Sequence, residues 1–165
     1  MALVLDSTVA GASSNSYVSR ANADTFFEGR YSDGGWSALS SANKDRALVA
    51  ATRIIDRETF LESPATTTQR LKWPRLYVRK VDAVNYCDYY LVTELPQQLK
   101  DAVCEMALNL VALAVTETAG RKVKSFASDD QSFVYESDGR AAGALPSAVM
   151  ELLSPFLRGA RLVRS

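Results

Sequence analysis

Residues 96 to 118, PQQLKDAVCEMALNLVALAVTET, form the longest apolar-rich stretch of the chain, and whatever surrounds them must be built to cover them. Proline suits the first turn of a helix because its missing N–H has no intrahelical partner there, so Pro96 is expected at the first helical position. Leu99, Val103, Met106, Leu110 and Leu113 then recur at alternating steps of four and three, which places them on one helical face. Ala102, Ala107, Leu108, Val111, Ala114 and Val115 widen the stripe until little polar face is left beyond Glu105 and Asn109. A helix apolar on nearly all sides needs cover on nearly all sides. Glu105 and Asn109, if buried, need polar partners within a bundle or across a subunit boundary.

A chain of 165 residues with 47% hydrophobic content suits one domain whose core needs neither disulfide nor metal. Nineteen basic residues balance nineteen acidic ones, so no overall field draws the molecule onto nucleic acid or an anionic membrane. Histidine is absent, which removes the commonest general base and the commonest metal ligand and disfavours Ser-His, Cys-His and His-metal enzymes. Cys87 and Cys104 lie outside any CxxC pattern and read as free thiols in a reducing compartment. Asp129-Asp130 reads as an ordinary turn, Asp101 with Glu105 as a helix pair, and SDGG at 32 to 35 fits no phosphate loop. No catalytic residue, metal or cofactor is therefore expected. The opening MALVLDSTVAG lacks the basic segment of a signal peptide. The apolar run from 102 to 115 spans about 21 Å at 1.5 Å per residue, short of the roughly twenty apolar residues that cross a bilayer, so no membrane partner is expected.

Along the chain, residues 3 to 12 read as a short extended arm or edge strand with a mobile tip at AGASSNS. Ser19 is a good N-cap for a helix over 20 to 30, with Ala23, Phe26 and Phe27 on its apolar face and Gly29 available as a left-handed stop. Trp36 and Leu39 anchor the loop before Ser40 or Ser41 caps a second helix, whose Leu48, Ala51 and Ile55 should pack on the 96 to 118 helix. From 59 to 95 the helical period breaks down, and PATTTQ followed by WPR argues for irregular or extended structure. Gly120 stops the long helix, and VKSFASDDQSFVYES predicts a β-hairpin over 121 to 137. Leu145-Pro146 opens a last helix that Ser154-Pro155 ends or kinks.

The most suggestive local chemistry is RLKWPRLYVRK at 70 to 80. Arg70, Lys72, Arg75, Arg79 and Lys80 are interleaved with Trp73 and Tyr77, and Tyr86, Tyr89 and Tyr90 follow. Cations among aromatic faces suit a groove for single-stranded nucleic acid. The same residues also suit a protein interface, which recruits large aromatics that lose few rotamers. A third reading has Trp73 in the core and the cations solvated or paired. That reading is favoured, because Asp82, Asp88 and Glu94 dilute the basic run.

The order of these pieces resembles the adaptor, or head–tail connector, proteins of tailed bacteriophages. NSYVSRANADTFFEGR at 15 to 30 resembles the family's opening segment, and Trp36 precedes a capped helix ending in ATRIID. QRLKWPR at 69 to 75 resembles its hydrophobic-WPR signature, and LPQQLKDAVCEMALNL at 95 to 110 its core helix. VKSF, FVYES, ALPSAVMELLSPFL and the closing RLVR resemble its hairpin, last helix and tail. The segment from 76 to 95 departs from the pattern in being rich in tyrosine and lacking glycine. Relatives of this kind are often labelled DnaT-like single-stranded DNA-binding proteins, which is the alternative function.

The resemblance implies a mainly α fold, a helical bundle around one long central helix with a small β-hairpin and extended N- and C-terminal arms. A single adaptor domain over 1 to 165 would comprise an arm at 1 to 18, a helical core at 19 to 120, the hairpin at 121 to 137, and a last helix and tail at 146 to 165. It implies a homo-oligomeric ring, commonly of twelve copies, in the virion neck, assembled from subunits made in the bacterial host cytoplasm. The ring's partners would be the portal protein and a stopper or tail-terminator protein. Its lumen would pass double-stranded DNA during packaging and ejection without gripping it. The family's tail reaches the portal, so Phe156, Leu157, Arg158, Arg161, Leu162, Val163 and Arg164 are the implied docking residues.

Overall fold

A computed structural model of the protein describes residues 3–118 and 145–158, and these are mainly helical, with four α-helices and no extended ladder. The helices are α1 (Arg20–Glu28), α2 (Ser41–Ile55), α3 (Gln97–Thr118) and α4 (Ser147–Leu153), the last running into a 3-10 turn at Ser154–Phe156. The predicted hairpin over 121 to 137, and Arg161, Leu162, Val163 and Arg164, lie outside the described residues. No helix among those described is long and apolar enough to cross a membrane.

Local chemistry sets the helix ends. The Ser19 side chain accepts from Asn22 N and the Ser40 side chain from Asn43 N, so each serine satisfies one orphan donor of its helix. Lys100 N donates to Pro96 O at 3.3 Å, which makes Pro96 the cap of α3 rather than its first helical residue. Gly29 corrects an expectation: its φ is −76°, right-handed, and its N–H still bonds Thr25 O, so α1 ends without a left-handed residue. Among the described glycines, positive φ occurs at Gly34 and Gly35, in the loop that brings Trp36 back to the core.

α3 touches α1, α2 and α4. Its Leu99, Ala102, Val103 and Ala107 are fully buried, against a core that includes Phe27 of α1, Leu48, Ala51 and Ile55 of α2, and Val149 and Leu153 of α4. Burial falls from Leu108 onwards, and Leu113 is 48% exposed. Glu105 finds its polar partner in Arg30, whose Nη1 lies 2.5 Å from Oε1 just past the end of α1.

The N-terminal segment is not an extended arm with a loose tip. It folds back on Asp6, whose carbonyl accepts from Asn15 N at 2.8 Å and Ser16 N at 3.1 Å, while its N–H donates to Asn15 Oδ1. Arg70 N donates to Gly11 O and so holds the turn from outside. Asp, Asn and Ser side chains offer the backbone local partners that compete with a strand ladder, which is why the apolar run at residues 3 to 5 does not become an edge strand. From 59 to 95 the chain is non-helical and carries three isolated antiparallel bridges, Phe60↔Leu157, Pro64↔Arg75 and Arg79↔Tyr89.

Candidate interaction surface

Residues 77 to 92 double back on themselves. Lys80 N donates to Asp88 O at 3.0 Å and Tyr90 N to Val78 O at 2.9 Å, on either side of the Arg79↔Tyr89 bridge. Side chains alternate across extended backbone, so neighbours face opposite ways. Val78 is buried and Tyr90 is half-buried, its ring edge-on to Trp73 and Phe156. Arg79, Tyr89 and Leu91 accordingly face out, and Tyr77, in a turn at φ 56°, is exposed beside them. At the turn Val84 is 92% and Tyr86 85% exposed. Tyr77 and Tyr89 meet edge to face at 6.3 Å, which steadies the outer aromatics without covering them.

The cations of this region are already engaged. Arg79 sits over the Tyr86 ring at 5.2 Å and donates to Ala83 O. Lys80 lies 3.8 Å from Asp88 and 3.6 Å from Glu94. Lys72 is half-buried and its Nζ donates to the carbonyls of Arg57 and Glu58. Arg70 is exposed and reaches Ser13 O at 3.3 Å.

Two members of the candidate set lie in the core, Trp73 as the favoured reading of the sequence expects and Arg75 against it. Trp73 is 2% exposed and packs edge-on against Phe60, Tyr90 and Phe156, so its ring is a core group and no stacking platform. Its Nε1 is buried and has no hydrogen-bond partner among the described residues. Arg75 is 6% exposed, and its guanidinium donates to the carbonyls of Leu61, Glu62 and Lys72, pinning the 61 to 63 turn to the WPR segment. Burial pushes its pKa below the ordinary arginine value, with the charges of Glu62 and Asp56 opposing that shift.

The tail assignment needs a similar correction at its start. Phe156 is fully buried and Leu157 nearly so, because Leu61 N donates to Phe156 O and Arg158 N to Thr59 O, drawing this strand of chain onto the core. Phe156 and Leu157 therefore are not free to dock on a portal. Of the described tail residues only Arg158 is exposed.

A second feature escapes a reading by residue type. α1 and the first turns of α3 leave a cleft of about 300 Å³ between them, lined by Val18, Asn22, Thr25, Phe26, Gln97, Lys100, Asp101 and Cys104. Asp101 accepts from Gln97 Nε2 at 2.8 Å, whereas Lys100 forms no ion pair among the described residues. Burial pushes the Cys104 thiol up to about 12, so no thiolate stands at the floor of the cleft. Nothing in the sequence marks it, because it exists only where α1 packs against α3. Among the described residues there is no group of three or more His, Cys, Asp or Glu suited to a metal ion.

No curated protein and no solved structure matches the chain. The sequence model of one protein family matches it over residues 1–165, and the chain belongs to that family, which is described as "Putative DnaT-like ssDNA binding protein".

Proposed function

We propose that the protein is a non-enzymatic structural component of a phage virion, one subunit of the adaptor ring that joins the portal to the stopper or tail-terminator protein and leaves a lumen for double-stranded DNA. In this reading α3 is the spine of the subunit. The observation that carries it is the character of the 77 to 92 surface, where tyrosine, valine and leucine are exposed while the nearby cations are tied to acids, carbonyls or a ring. Rigid aromatics beside aliphatics favour contact with protein. Zero formal net charge suits a conduit, since each neutralised phosphate adds salt-dependent grip that retards passage. Electron microscopy and light scattering of the purified chain, alone and mixed with portal protein, test this. Closed rings or a portal complex are expected; a chain that stays monomeric and ignores the portal would sink the reading.

The family description favours a second reading, binding of single-stranded DNA. With Trp73 and Arg75 in the core, such binding would use Tyr77, Tyr86 and Tyr89 with Arg79. Fluorescence anisotropy with a labelled oligonucleotide at low salt tests it. Tight binding lost in both Tyr86→Ala and Arg79→Ala would put this reading first.

A further inference from the structure

We infer that the 81 to 88 turn of one copy seats in the α1/α3 cleft of a neighbouring copy, with Asp82 of the turn meeting Lys100 of the cleft. This rests on the subunit reading above and names the contact through which subunits would meet. The turn is a projection: Val84 and Tyr86 stand almost wholly in solvent, on a base held by the Arg79↔Tyr89 bridge. The cleft is the matching recess, about 300 Å³ in volume, with Val18, Phe26 and Cys104 supplying apolar lining and Asn22, Thr25 and Gln97 supplying polar groups.

Charge argues for a second copy of the same chain as the occupant. Asp82 is exposed and forms no ion pair among the described residues, and Lys100 in the cleft forms none either. Among the described residues each copy thus carries an acid without an ion pair on its projection and, in its recess, a cation without one beside Asp101, whose carboxylate is already engaged by Gln97 Nε2 at 2.8 Å. Joining copies satisfies both in equal numbers and needs no other component. A projection and a recess are different patches, so the contact is heterologous and repeats from copy to copy unless two copies exchange turns reciprocally. The Asp–Lys pair would set register, while Val84 and Tyr86 supply most of the apolar area.

Sedimentation velocity over a concentration series tests this with the wild type, Asp82→Lys, Lys100→Glu and an equal mixture of the two variants. Both positions are unpaired, and circular dichroism checks that each variant is folded. Wild type is expected to associate, and each variant alone to need at least about ten-fold higher concentration, because like charges then face each other. The mixture should recover association, since each kind of contact in an alternating assembly is again between opposite charges. Single variants that associate like wild type, or a mixture that fails to recover, would overturn the docking while leaving the subunit reading intact. A wild type that stays monomeric both alone and with portal protein would overturn both. Tyr86→Ser, which keeps the charges, is expected to weaken association in the same assay, and unchanged association would remove the turn from the interface.

Discussion

The Trp73 indole meets the Phe156 ring edge-on, with centroids 5.5 Å apart and planes at 85°. This geometry sets the positive edge of one ring against the negative face of the other. It ties the non-helical 59 to 95 segment to the 3-10 turn that follows α4. Two residues whose types suggest recognition of DNA or of a portal thus hold each other in the core.

Trp73→Ala and Phe156→Ala are each expected to destabilise the fold by about 3–5 kcal/mol, the range for large aromatics truncated in a core. A double-mutant cycle should show a coupling of about 0.5–1.5 kcal/mol. Trp73→Phe should cost much less than Trp73→Ala, because Nε1 has no hydrogen bond to lose among the described residues. Urea denaturation followed by circular dichroism measures all three. A chain ending after Arg158 should keep a cooperative transition that one ending after Pro155 loses; equal stability of the two would place Phe156 outside the core.

Tyr17 should shape the alkaline limit of stability. Its hydroxyl donates to Asp56 Oδ1 and accepts from Trp73 N at 3.3 Å, while the same Oδ1 accepts from Lys72 N at 2.9 Å. Burial first, then the Asp56 charge, raises the phenol well above its ordinary value of 10.0. A group whose folded pKa is raised contributes stability fully below the unfolded value and loses it as pH rises beyond. Wild-type stability should therefore fall from about pH 10 upwards more steeply than that of Tyr17→Phe. At neutral pH Tyr17→Phe should cost about 1–3 kcal/mol for the unsatisfied partners left behind. Parallel alkaline limbs in the two proteins would remove Tyr17 from this role.

Two glycines should respond oppositely to alanine. Gly34 has φ +58°, and a Cβ there would stand 2.6 Å from Leu108 Cδ1 of α3. Gly34→Ala should cost about 1–2 kcal/mol for the left-handed backbone, with a smaller addition for turning Leu108 aside. Gly29 has φ −76° and its nearest such contact is 3.6 Å away, so Gly29→Ala should be neutral or stabilising by up to about 1 kcal/mol. Thermal unfolding of the two variants reads the difference as melting shifts of opposite sign.

Helices were legible because their signals are local. Ser19, Ser40 and Pro96 mark starts that depend only on the next few backbone groups, and the four-three spacing of Leu99, Val103 and Met106 marks one face of α3 whatever covers it. The candidate surface was legible only in part. Tyr77, Arg79, Tyr86 and Tyr89 are exposed, but Trp73 and Arg75 of the same run are buried, and residue type alone does not separate them. Short stretches of sequence are enough to mark where helices begin and which faces are apolar, and composition alone balances the charges. Which aromatics face in, which carbonyls take up the arginine and lysine donors, and where a cleft remains follow only from the packing of the closed chain. Those outcomes depend on groups brought together from distant positions: Phe60, Trp73, Tyr90 and Phe156 become one cluster only when the chain has closed on itself, and burial then selects among side chains that look alike in sequence.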